Sequence, residues 1–198
     1  MSAPLRLIVP GMLVLALAGC TPPSGADGAD DPSAASGGSL AECVMGHTWN
    51  ADVPDIGDQL FAQLQANGSP ATSAVASGTQ TLAWGLDGSV RVDTNYTFTV
   101  VSPLTEGLVL TMNQTHAGPT IGGLELDGNI ASPVDWDSSG YTISTVMDVN
   151  GEAAAMDFPI PDASLTEDVI LEVTCEGNAM TTFATAGFVT TKWSRTED

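Results

Sequence analysis

The sequence predicts a mainly β domain: an antiparallel up-and-down barrel of about eight strands with one short N-terminal helix. Three observations predict it. Several stretches alternate apolar and polar residues with the period of two that a half-buried strand requires. Asp87-Gly88, Asp127-Gly128, Asn150-Gly151 and Glu176-Gly177-Asn178 punctuate those stretches, and such residues favour the tight turns of hairpins. One stretch alone carries a helical spacing. Closure into a barrel removes the edges that a Thr- and Val-rich sheet otherwise exposes. A β-sandwich or a half-barrel predicts the same strand pattern.

The chain opens with Met1 to Arg6, which carries one fixed positive charge, and continues as an apolar run from Leu7 to Leu17. That run is about eleven residues, where a spanning helix needs about twenty. It has the build of an export signal. It ends in Leu17-Ala18-Gly19-Cys20, which resembles the lipobox of bacterial lipoproteins. The resemblance implies a signal peptide over residues 1–19, cleavage before Cys20, and a diacylglyceryl group on the Cys20 sulfur. The implied location is the cell membrane, lipid-anchored and facing the extracytoplasmic side. Two or more acyl chains anchor stably, where one does so only marginally.

Residues 20–40 read as a disordered tether. They are almost all Thr, Pro, Ser, Gly, Ala and Asp, and too little apolar surface is present to offset the entropy of ordering. Residues 41–198 read as a single β-rich domain. Its helix is marked by Ile56, Leu60, Phe61 and Leu64 at helical spacing, with Asp52 as cap, Pro54 in the first turn and Asn67-Gly68 as stop. The first clear strand places Val90, Val92, Thr94, Tyr96, Phe98 and Val100 on one face. A second alternates Leu108, Leu110 and Met112 with polar positions. Tyr141, Ile143, Thr145 and Met147 form a third row, and Val169, Leu171, Val173 and Cys175 a fourth.

Charge narrows the partners. The chain has 24 acidic and 4 basic residues. Loss of residues 1–19 removes Arg6 and no acid, leaving Arg91, Lys192 and Arg195 and a net charge of about −21. Such a field repels nucleic acid and anionic lipid surfaces, so no nucleic-acid partner is expected. Attachment to the membrane is expected through the lipid on Cys20. With Cys20 assigned to lipid, Cys43 and Cys175 remain, and outside the cytoplasm they are expected to pair. A loop of about 130 residues closed this way stabilises by up to roughly 5 kcal/mol in the chain-entropy model.

Gly46-His47-Thr48-Trp49 resembles the Gly-x-Trp start of lipocalin-like barrels, with two residues rather than one before the tryptophan. Lys192-Trp193-Ser194-Arg195 resembles their closing strand. The resemblance implies a lipocalin-like barrel in which Arg195 stacks on Trp49, a contact worth about 0.5–2 kcal/mol. The whole layout resembles actinobacterial-type lipoproteins. A helix against an antiparallel sheet is also similar to the half-barrel glycolipid-carrier lipoproteins of mycobacteria.

The sequence shows no Gly-x-Ser-x-Gly, no His-Glu-x-x-His and no phosphate loop, so no catalytic residue and no cofactor are assigned. His116 lies in Thr115-His116-Ala117-Gly118-Pro119, which reads as an exposed turn. Asp135, Asp137 and Ser139 match the first half of a Ca²⁺ loop that ends in Gly140. Its twelfth position is Val146 where a bidentate Glu is required, so a polar hairpin turn is the expected reading. The leading functional expectation is a barrel that binds a small apolar or amphipathic ligand, lined by Tyr96, Phe98, Leu110, Met112, Tyr141, Ile143 and Met147. The alternative is a structural or interaction module with a filled core, its partner an envelope protein. An envelope enzyme ranks third.

Overall fold

The computed structural model describes residues 39–105, 107–154, 169–185, 187 and 189–197. Cys20, the signal segment and most of the expected tether lie outside the described residues.

The domain begins earlier than the sequence boundary at 41. Ser39 caps a short helix, α1 (Leu40–Val44), in a reciprocal box. Its hydroxyl accepts from the Glu42 amide, and the Glu42 carboxylate accepts from the Ser39 amide at 2.7 Å. Leu40 packs on the core, which is why it belongs to the domain and not to the tether. β1 (His47–Ala51) follows, then α2 (Val53–Ala66). The described residues therefore hold two helices rather than one. α2 starts as its sequence dictates: the Asp52 carboxylate accepts from the Asp55 amide at 3.2 Å, Pro54 sits in the first turn, and Asn67 ends it.

The remaining elements are strands: β2 (Ser73–Trp84), β3 (Ser89–Thr105), β4 (Leu108–Asp127), β5 (Ile130–Asp137), β6 (Thr142–Val149), β7 (Glu152–Ala153), β8 (Leu171–Glu176), β9 (Ala179–Ala184) and β10 (Thr190–Arg195). They form one antiparallel sheet, not the two of a sandwich. Eight of them close a barrel-like ring in the order β1-β2-β3-β4-β5-β8-β9-β10 and back to β1. Around the ring the strands follow chain order except between β5 and β8, where β6 and β7 intervene in the sequence. β6 and β7 stand outside the ring.

The departure from a simple barrel lies in β4. On one edge it pairs with β3 along most of its length. On the other it pairs first with β6, over Leu110–Ala117, and then with β5, from Ile121 onward. The change of partner falls at Gly118-Pro119. Gly118 has φ +110, and a Cβ there would collide with the Gly140 carbonyl. Pro119 has no N–H to donate and sits where that edge has no ladder partner.

Two apolar cores result. Val44, Trp49, Leu82, Trp84, Val90, Val92, Met180 and Trp193 are among the residues that fill the ring. Beyond it the long strands β2, β3, β4 and β6 continue as a sheet, and α2 covers them. Val53, Ile56 and Leu60 of α2 pack there with Ala74, Ala76, Tyr96, Phe98, Val100, Leu110, Met112 and Met147. Each large side chain buried in this way contributes about 1.5–3 kcal/mol. The face of β3 that was expected to turn inward does so from Val90 to Val100, serving the ring at Val90 and the helix-covered sheet at Phe98. The described residues from Ser39 onward hold both cores and the bond joining Cys43 to Cys175 (Cα–Cα 6.1 Å).

Candidate ligand site

The row expected to line a ligand cavity divides into three. Tyr96, Phe98 and Met147 are buried in the second core, where α2 supplies the side chains that a ligand would otherwise replace. Tyr141 and Ile143 do not join that core: Tyr141 precedes β6, and Ile143 is 36% exposed. Their row was expected to face inward. β6 stands outside the ring, and Met147 is its only buried residue. Leu110 and Met112 do border a cavity.

That cavity, about 130 Å³, opens where the last turn of α2 meets the sheet. Leu64, Ser69, Pro70, Val100, Ser102, Leu104, Leu110 and Met112 line it. The sequence explains its position. The apolar stripe of α2 ends at Leu64, and Asn67-Gly68 turns the chain away before the strands below it end. Val100, Leu110 and Met112, themselves buried in the second core, form the cavity floor on the sheet side. The lining is almost wholly carbon. An apolar cavity of about 150 Å³ is enough to hold benzene, and this one is of similar size. Leu104, Leu108 and Val109, on the adjoining β3–β4 hairpin, are each about two-fifths exposed.

Between the two cores lies a buried polar layer that the sequence did not announce. His116 is 1% exposed and sits inside β4, not in a turn. Its Nδ1 is hydrogen-bonded to the Tyr141 hydroxyl and its Nε2 to Gln114 Oε1 at 2.9 Å. Gln114 Nε2 donates to Thr145 at 3.3 Å, and the Tyr96 ring stacks on the imidazole at 4.9 Å. Gln80 donates to Thr94 nearby at 3.2 Å. Polar groups in an interior are retained at low cost only when hydrogen-bonded in this way. The missed signal was the run of alternation: Leu110, Met112, Gln114 and His116 share one face.

The end of the ring carries the pair expected from its sequence resemblance. Trp49 and Arg195 are register partners, and the Arg195 guanidinium lies 5.1 Å from the Trp49 ring centre. Arg195 also donates to the Cys43 carbonyl at 2.8 Å. The other two cations of the domain are engaged as well. Arg91 makes a two-pronged pair with Asp93. Lys192 donates to Asp55 at 2.6 Å, which lowers the Asp55 pKa and raises that of Lys192.

Asp135 and Asp137 lie at the end of β5, and Ser139 lies in the turn that follows it. The Asp137 carboxylate accepts from the Ser139 amide at 2.8 Å, a bond that lowers its pKa. Among the described residues no group of three His, Cys, Asp or Glu side chains is placed to hold a metal ion. No helix of the described residues is long and apolar enough to cross a membrane. Compared with protein families, curated proteins and solved structures, the chain gives no significant match.

Proposed function

We propose that this chain is a lipid-anchored envelope protein whose β domain binds a small amphipathic molecule by its apolar end. The observation that carries the binding role is the carbon-lined cavity between Leu64 of α2 and Val100, Leu110 and Met112 of the sheet. A packed domain gains by filling such a space, so one left open at the surface supports a site for an apolar group. The anchoring role rests on Leu17-Ala18-Gly19-Cys20 and on the Ser/Gly/Asp-rich segment after it. The reading is non-enzymatic and involves no nucleic acid.

Native mass spectrometry of Ser36–Asp198, purified gently from a bacterial host, tests the binding role. An added mass that leaves on denaturation supports it and reports the ligand class. A clean apo mass, with no uptake of alkyl-chain probes, counts against it. The anchor is tested in the full chain with a clickable fatty acid. Incorporation into the wild type and none into Cys20→Ala is the expected outcome. The exposed Leu104, Leu108 and Val109 favour a second reading, in which the hairpin docks on an envelope protein.

A further inference from the structure

We infer that the cavity discriminates by head-group charge: it admits the alkyl end of a neutral or cationic amphiphile and rejects an anionic one. This inference rests on the binding role proposed above. Three observations carry it. First, the cavity wall offers no counter-charge, since its polar residues are only Ser69 and Ser102. Second, every cation of the domain is held elsewhere: Arg91 by Asp93, Lys192 by Asp55, and Arg195 on Trp49 and the Cys43 carbonyl. Arg91 is nine residues below Val100 on β3, about 30 Å along an extended strand. Lys192 is tied to the first turn of α2, and Leu64 lies nine residues further along that helix, about 13 Å away. Both distances exceed a Debye length of about 8–10 Å at ordinary salt. Third, the mouth lies at the C-terminal end of α2, which has no basic residue in its last turn. Backbone amides of Asn67, Gly68 and Ser69 cap carbonyls of that end, but no basic side chain offsets its partial negative charge, within a chain of net charge −20.

An anionic head group would be held at this mouth with repulsion and no partner. A potential of a few kT on a unit charge amounts to about tenfold in affinity. The chain contributes separately, with affinity rising about fourfold per methylene until the cavity is full.

The test is calorimetric titration of Ser36–Asp198 with three probes of equal chain length below their micelle concentrations: a monoacylglycerol, an alkyltrimethylammonium and a fatty acid carboxylate. The cation and the neutral probe are expected to bind at least about tenfold more tightly than the carboxylate at low salt. The gap narrows at 1 M salt, where the Debye length is about 3 Å. Leu104→Lys, which places a cation at the rim, is expected to raise carboxylate affinity relative to the neutral probe. Ser102→Trp is expected to weaken all three. Equal binding of the three probes at low salt overturns the charge selection and leaves the binding role standing. Binding by none of them, in wild type and Leu104→Lys alike, overturns the binding role and the selection with it.

Discussion

Arg195 does more than its position near the end of the chain suggests. It covers Trp49 with its guanidinium and donates to the Cys43 carbonyl, so one side chain ties β10 to both β1 and the end of α1. Arg195→Ala is expected to cost about 2–5 kcal/mol, the sum of a cation–π contact and a charged hydrogen bond. Urea denaturation with an unchanged m-value checks it. Lys192 acts through pH. The Asp55 carboxyl, hydrogen-bonded to Lys192, has its pKa lowered in the folded state. A lowered carboxyl pKa contributes stability above its unfolded value of about 3.9, and that stability is lost as pH falls through the folded value. The raised Lys192 pKa contributes below about 10.4, and is lost as pH rises through the folded value. Lys192→Gln is therefore expected to be less stable than wild type at neutral pH, with the difference shrinking as pH falls through the lowered Asp55 pKa. Denaturant midpoints measured from pH 2 to 8 show this directly. One of these pairs was legible, Trp49 with Arg195 from their sequence surroundings; Lys192 with Asp55, 137 residues apart, was not.

At the scale of the element, legibility followed the length of the pattern. α2 was readable from cap to stop because Asp52, Pro54, the apolar stripe and Asn67 agree with one another. α1, five residues long, offers too few positions for a period, and only its Ser39-to-Glu42 spacing marks it. β4 was misread where it changes partner. His116 precedes a Gly-Pro pair that breaks most strands, yet here the pair serves a continuous strand whose neighbour switches from β6 to β5. That switch depends on strands distant in sequence, so local composition does not encode it. The contact of α2 with β2 is also non-local, and it makes a sharp prediction. Gly57 faces the backbone of β2 so closely that an added Cβ would collide with the Ala76 amide nitrogen. In an exposed helix Gly→Ala stabilises by about 1 kcal/mol. Here Gly57→Ala must push the helix from the sheet, and a net loss of about 1–3 kcal/mol is expected. Thermal unfolding of the variant reads the sign, and a rise in melting temperature would contradict this packing.

For the molecule as a whole, the ring is only as closed as its narrowest junction. β3 and β4 pair through sixteen register positions, whereas β5 and β8 meet at two, Ile130 with Glu172 and Ala131 with Leu171. The backbone bond from the Val173 amide to the Asn129 carbonyl, at 2.8 Å, adds one more tie at the same end. Opening there breaks far fewer ladder pairs than separating β3 from β4. The junction is therefore where the ring should breathe, at a free energy below that of global unfolding. β8 is held from its other end, because Cys175 is bonded to Cys43 of α1, 132 residues away. Native-state hydrogen exchange tests the combination. The Ala131 and Val173 amides are expected to exchange well before those of the central β3 residues Val92 to Phe98. In a Cys43→Ala/Cys175→Ala variant, global stability is expected to fall by up to about 5 kcal/mol through the loss of a long closed loop. If the junction opens independently, its amides lose less protection than those of β3, because their exchange never required the ring to unfold. Equal loss of protection at both places would show instead that the eight strands open as one cooperative unit.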